Sequence, residues 1–156
     1  MNHQNPKPQV DRADLGDLDA LHGLFMGYLA FYERSIDPES ARLFLRDRIQ
    51  NGQSVIYMAW LDGQAVGFTQ LYPLFASLSL QRSWVLNDLF VAESARGDGV
   101  ATALMNAARQ LAVETGASEI FLQTARTNTT AQGLYEKLGY VRDDAFLVYT
   151  LDINPA

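Results

Sequence analysis

Apolar residues recur at helical spacing over positions 14–33, where Leu15, Leu18, Leu21, Leu24, Phe25, Tyr28, Leu29 and Tyr32 form one stripe. Asp14 or Asp17 is the expected N-cap. Pro38 opens a second predicted helix that runs to about Gln50 and stops at Asn51-Gly52. The period then shortens. Positions 54–61 and 65–72 read as strands around Asp62-Gly63, a strong two-residue hairpin signal. Pro73 is expected to break or bend the second strand, with 74–80 as its continuation. Positions 84–91 form the next strand, after a short first strand at 9–12. Val100, Leu104, Ala107, Ala108 and Leu111 give a long helix its apolar stripe, and Gly116 ends it. A strand at 119–125 follows. Asn128 caps a short helix bearing Ala131, Leu134, Tyr135 and Leu138, stopped by Gly139, and 140–152 closes the chain as a strand. Hairpins mixed with helix-crossed strands imply a mixed sheet with helices on both faces.

Composition narrows the classes. At 156 residues and 48% hydrophobic, the chain is expected to be one domain over 9–156 behind a polar tail at 1–8. That tail lacks the apolar core of a signal peptide, and no run approaches the length of a membrane helix. A net charge of −6 argues against nucleic acid or anionic membranes as partners and suits a cationic substrate. With no cysteine, disulfides, thiolate nucleophiles and cysteine-based metal sites are excluded, and a cytoplasmic location is expected. His3 and His22 make a poor basis for a metal site, so none is expected.

The chemistry concentrates between Asp88 and Leu104. There a strand ending at Val91 passes through Arg96, Gly97, Asp98 and Gly99 into a helix that begins with Val100 and Ala101. A helix start has backbone N–H groups without partners and partial positive charge, and glycines let a phosphate approach them. Arg96 adds a permanent cation. The loop is no Walker motif, because Gly99 is followed by Val100 and Ala101. It is no dinucleotide fingerprint either, since the third glycine's position holds Thr102.

Arg-Gly-x-Gly-Val-Ala after Asp-Leu-Phe-Val resembles motif A of the GNAT acetyltransferase superfamily. Asn128-Thr-Thr-Ala-Gln-Gly-Leu-Tyr-Glu-Lys-Leu-Gly-Tyr140 is similar to its motif B. The helix segment from Tyr28 to Glu33 resembles the histone and polyamine acetyltransferase-like bacterial branch. The resemblance implies an α+β GNAT fold with six to seven strands, and acetyl-CoA as co-substrate. It implies direct transfer of acetyl to a primary amine: a small amine, polyamine, amino acid or protein lysine. The alternative is a catalytically weak acyl-CoA sensor or interaction module.

By the same resemblance, the loop Arg96 to Ala101 cradles the pyrophosphate. Backbone groups of Leu89, Phe90 and Val91 bind the pantetheine arm, Asn128 and Ala131 support it, and Lys137 reaches the 3′-phosphate. Tyr135 is the acid that protonates the leaving sulfur; a phenol suits this, with a reference pKa of ~10. Asp88 or Glu33 is the candidate base, and Tyr28, Tyr32 and Glu33 line the amine site. A homodimer is expected, built through the apolar segment 146–149.

Overall fold

The computed structural model describes residues 6–154, in two compact units divided after Gln123. Residues 1–5 of the expected tail, His3 among them, lie outside the described residues.

The first unit holds five strands in the order β1-β2-β3-β4-β5: Gln9–Arg12, Val55–Leu61, Gln64–Ala76, Gln81–Val91 and Ile120–Phe121. The first four pair antiparallel and β5 joins β4 in parallel, so the sheet is mixed. Helix α1 spans Leu18–Phe31, α2 Pro38–Gln50 and α3 Val100–Glu114. Asp14 caps a single 3-10 turn, Leu15–Asp17, through its carboxylate and the Gly16 N–H, and Asp17 returns the bond to the Asp14 N–H. The expected helix at 14–33 therefore begins as that turn and becomes α-helical only at Leu18. Asp62 and Gly63 both take positive φ, 48° and 77°, as a tight hairpin turn requires.

Helices cover both faces. Leu21, Phe25 and Leu29 of α1 and Leu45 of α2 pack on Ile56, Met58 and Phe68. On the other face Val100 and Leu104 of α3 pack on Ala59 and Val66. The alternation of Ile56 and Met58 with Ala59 across β2 divides the two cores. Gly67 lets α3 approach. A Cβ there would stand 2.8 Å from the Phe90 carbonyl oxygen and 3.1 Å from Val100 Cγ1.

β3 runs straight through Pro73. The Trp84 N–H donates to Glu119 O (3.1 Å), away from β3, so Pro73 and Trp84 form a non-hydrogen-bonded pair. The proline nitrogen then faces the side where β2 has already ended at the Val55–Leu71 pair. No donor is missed there.

The second unit contains α4, Thr129–Lys137, capped by Asn128. Here two expectations are corrected. The strand expected at 119–125 shrinks to Ile120–Phe121, and 140–152 forms no strand, so among the described residues five strands stand where six or seven were expected. The segment 146–149 is apolar as expected, but its backbone forms no ladder among the described residues.

Candidate active site

The site in the first unit is built on β4. Gln70 pairs with Asp88 but Leu71 pairs with Leu86, so Asn87 is an extra residue and β4 bulges there. β5 lies beside β4 only at Trp84 and Val85. No other strand lies along the Leu86–Val91 edge among the described residues. The Ala92 N–H donates to Val66 O (2.8 Å), which fixes the phase of the β3–β4 ladder. Phe90 is thereby bonded toward β3, while the N–H groups of Leu89 and Val91 point to the open edge. The Val91 carbonyl accepts from Arg96 Nε (3.2 Å), and the guanidinium stands 5.7 Å from the Phe31 ring. The Val91 N–H is left as the donor at the strand's end.

Beyond it the chain makes one 3-10 turn, Glu93–Ala95, and enters the glycine loop. Gly97 and Gly99 have φ of 87° and 78°, in the left-handed region that side chains resist. Gly99 is the N-cap of α3. No side chain caps this helix and no acid occupies its first turn. Its first N–H groups are therefore free for an anion, where the helix dipole is positive. Arg96, Gly97, Asp98 and Gly99 are all exposed.

Asp88 is buried at 4% exposure. Its carboxylate accepts from Gln70 Nε2 (2.6 Å) and from Asn87 Nδ2 (3.0 Å), and the Tyr28 phenol lies beside it. Ser54 Oγ donates in turn to Gln70 Oε1 (2.7 Å). Burial first, then the Asp88 charge, raise the Tyr28 pKa far above the ordinary phenol range. The same two causes push the Tyr72 pKa up to about 12. Both phenols are neutral donors at any physiological pH. The arrangement is a fixed negative charge walled by aromatic rings, with Tyr28 edge-on to Tyr32 at 5.0 Å and to Phe68 at 5.7 Å.

Tyr32 is half exposed at the end of α1. Glu33 follows at φ 54°, where its own N–H bonds Ala30 O and the Arg34 N–H bonds Leu29 O. That is the left-handed residue that closes a helix. The structure thus brings Tyr28 to Asp88 and gives Glu33 a helix-ending position at the surface. Sequence reading missed Gln70, Ser54 and Tyr72. Their signal was present: Gln70, with Thr69 before it, is a polar residue inside a strand that is otherwise apolar, and both are fully buried.

In the second unit, Asn128 accepts from the Ala131 N–H (3.2 Å) and so caps α4. Gln132 Nε2 donates to the carbonyls of Ala125 and Arg126, both at 3.0 Å, and ties the preceding loop to the helix. Tyr135 is half-buried, its ring 6.0 Å from that of Tyr140, and Lys137 is exposed. Among the described residues no group of three or more His, Asp or Glu side chains could hold a metal ion. No helix is long and apolar enough to cross a membrane.

Residues 20–140 match the family model of the Acetyltransferase (GNAT) family. The chain belongs to the GNAT acetyltransferases. A protein of Bacillus subtilis (strain 168), described as an uncharacterised N-acetyltransferase, is 41% identical over 144 residues, which span 92% of this chain and 97% of that one. A D-amino-acid N-acetyltransferase of Saccharomyces cerevisiae is 33% identical over 142 residues, 89% of this chain and 88% of its own. The crystal structure of a probable acetyltransferase superposes with a TM-score of 0.90 at 44% identity, covering 95% of this chain and 99% of that chain. This GNAT chain is an acetyl-CoA-dependent acetyltransferase.

Proposed function

We propose that the protein transfers acetyl from acetyl-CoA directly to the primary amine of a small acceptor. The observation that carries this reading is the open edge of β4. It presents the outward N–H groups of Leu89 and Val91 and leads without a break into the Arg96–Gly99 loop and the uncapped start of α3. The edge suits an extended amide-bearing arm added like a strand, and the loop suits a pyrophosphate.

Acetyl-CoA, when bound, supplies an activated thioester at the β4 edge. The Val91 N–H donates to the thioester oxygen as charge develops there. The amine nitrogen forms the new bond to the carbonyl carbon while the carbon–sulfur bond breaks. Tyr135 gives its proton to the departing sulfur. Direct attack is favoured because the chain has no cysteine and no nucleophile-elbow serine. Asp88 draws the cationic acceptor toward the aromatic wall of Tyr28 and Tyr72 and receives its proton through water. Two side-chain donors hold that carboxylate in place, which fits a charge meant to stay put. Lys137 serves the 3′-phosphate, and Glu33 is left to end its helix. The yeast relative's D-amino-acid activity makes amino acids the first acceptors to try.

The test is Tyr135→Phe. Coenzyme A binding by calorimetry should persist while kcat falls by roughly 10²- to 10⁴-fold, the usual worth of a general acid. A kcat equal to the parent's removes Tyr135 from the mechanism.

A further inference from the structure

Within the first unit, β3 and β4 run on past the point where β2 begins. Val55 pairs with Leu71, so the β3 residues from Tyr72 onward have no β2 partner. On the α3 face of this stretch lies a cleft of about 460 Å³, a size that holds small organic molecules. Val55, Pro73, Trp84 and Leu111 give it an apolar lining. The Trp84 indole N–H donates to Thr115 Oγ1 (2.9 Å), and the Thr115 hydroxyl donates to Leu111 O (2.7 Å). These bonds hold the end of α3 against β4, so the cleft is formed in advance of any occupant.

Two cations line the same cleft: Arg12 at the end of β1 and Arg82 near the start of β4. Arg82 lies over the Phe75 and Trp84 rings, at 5.2 and 5.5 Å, which hold its guanidinium in place. Neither arginine forms an ion pair among the described residues. Glu114, in the last turn of α3, accepts from Gln110 Nε2 (2.9 Å) instead. Acids outnumber bases 18 to 12 in the chain, yet no acidic side chain lines the cleft among the described residues. Like charges facing one cleft repel, and walls of low dielectric concentrate their field on an anion. Three strand spacings of about 4.8 Å separate β1 from β4, so the two cations stand apart with the apolar lining between them.

We propose that this cleft binds a linear organic dianion, an apolar chain with a carboxylate at each end. Each guanidinium takes one carboxylate through its paired N–H donors, and the chain lies along Pro73 and Trp84. Helix α3 begins at the glycine loop and ends beside the cleft. Its 15 residues therefore set this site about 20 Å from the pyrophosphate loop. The inference stands apart from the acetyl-transfer reading.

The experiment is calorimetry on the full chain with straight-chain dicarboxylates from butanedioate to decanedioate, and with octanoate as the single-carboxylate control. At least one dicarboxylate should bind with a Kd below about 1 mM, and roughly tenfold or more tightly than octanoate. Arg12→Gln and Arg82→Gln should each weaken that binding by about tenfold or more, the worth of a charge-assisted hydrogen bond, with coenzyme A affinity and far-UV circular dichroism unchanged. Arg34→Gln removes an exposed cation outside the cleft and should leave it unaltered. Arg12 is exposed, so its variant keeps the proposal testable if Arg82→Gln does not fold. Absence of dicarboxylate binding overturns the proposal. Octanoate binding as tightly as the best dicarboxylate overturns it too, since the cleft is then only an apolar groove. Binding that survives Arg12→Gln undiminished, or that coenzyme A displaces, places the dianion elsewhere and also overturns it.

Discussion

Replacing Gln70 with leucine keeps the side chain's volume and removes both of its hydrogen bonds. Gln70 is fully buried, and its amide joins Ser54 Oγ (2.7 Å) to the Asp88 carboxylate (2.6 Å). A hydrogen bond to a charged group contributes about 1.5–3 kcal/mol and a neutral one about 0.5–1.5. Leucine also leaves the Ser54 hydroxyl and one face of a buried carboxylate without partners, so the loss should approach the sum, roughly 2–4 kcal/mol. Urea unfolding followed by circular dichroism measures it, with an unchanged m value to show that the denatured state is the same. Acceptor kcat/KM should also drop at temperatures where the variant is folded, because Asp88 loses the donor that aims it, while coenzyme A affinity holds. A loss under ~0.5 kcal/mol would refute the energetic reasoning. A full loss of stability with unaltered acceptor kcat/KM would make the network structural and take Asp88 out of the acceptor site.

Gly67→Ala should cost about 1–3 kcal/mol in the same assay, because its Cβ would stand 2.8 Å from the Phe90 carbonyl oxygen of β4 and 3.1 Å from Val100 Cγ1 of α3, and both must give way. Glu33→Gly should stabilise by about 0.5–1 kcal/mol by relieving the left-handed backbone at φ 54°, with acceptor KM unchanged; a raised KM would return Glu33 to the amine site. Tyr28 and Tyr72 should ionise above the ordinary phenol range in a titration followed at 295 nm. Their raised pKa values mean that the unfolded chain loses these protons first, so folding stability should be flat below pH ~10 and fall as pH rises toward 12. Stability rising over that range would contradict the burial of both phenols beside Asp88.

The helices were legible because each buries one stripe: the leucines of α1 and the Val100–Leu104–Ala108 line of α3 sit on the core as their spacing requires. Asp62-Gly63 and the Gly97–Gly99 loop were legible because positive φ leaves few residue choices. Pro73 misled, since whether a proline interrupts a strand depends on where the neighbouring strand ends, which local sequence does not encode. The Asn87 bulge and the Ser54–Gln70–Asp88 network are tertiary too: polar residues in a strand acquire meaning only once the register sets them opposite one another. The segment 146–149 has every local mark of a strand, yet its backbone joins no ladder among the described residues, and local sequence does not say which neighbour a strand will find.

The central claim is that the β4 edge and its glycine loop present an acetyl thioester to a free amine. Release of thiol from acetyl-CoA, read with a thiol-reactive dye against a panel of amino acids and small amines, tests it most directly. The chain has no cysteine to give background. Release should rise and saturate with one amine class, together with an equal yield of the N-acetylated amine by mass spectrometry. Release independent of every amine, or none at all from protein that binds coenzyme A, would contradict it.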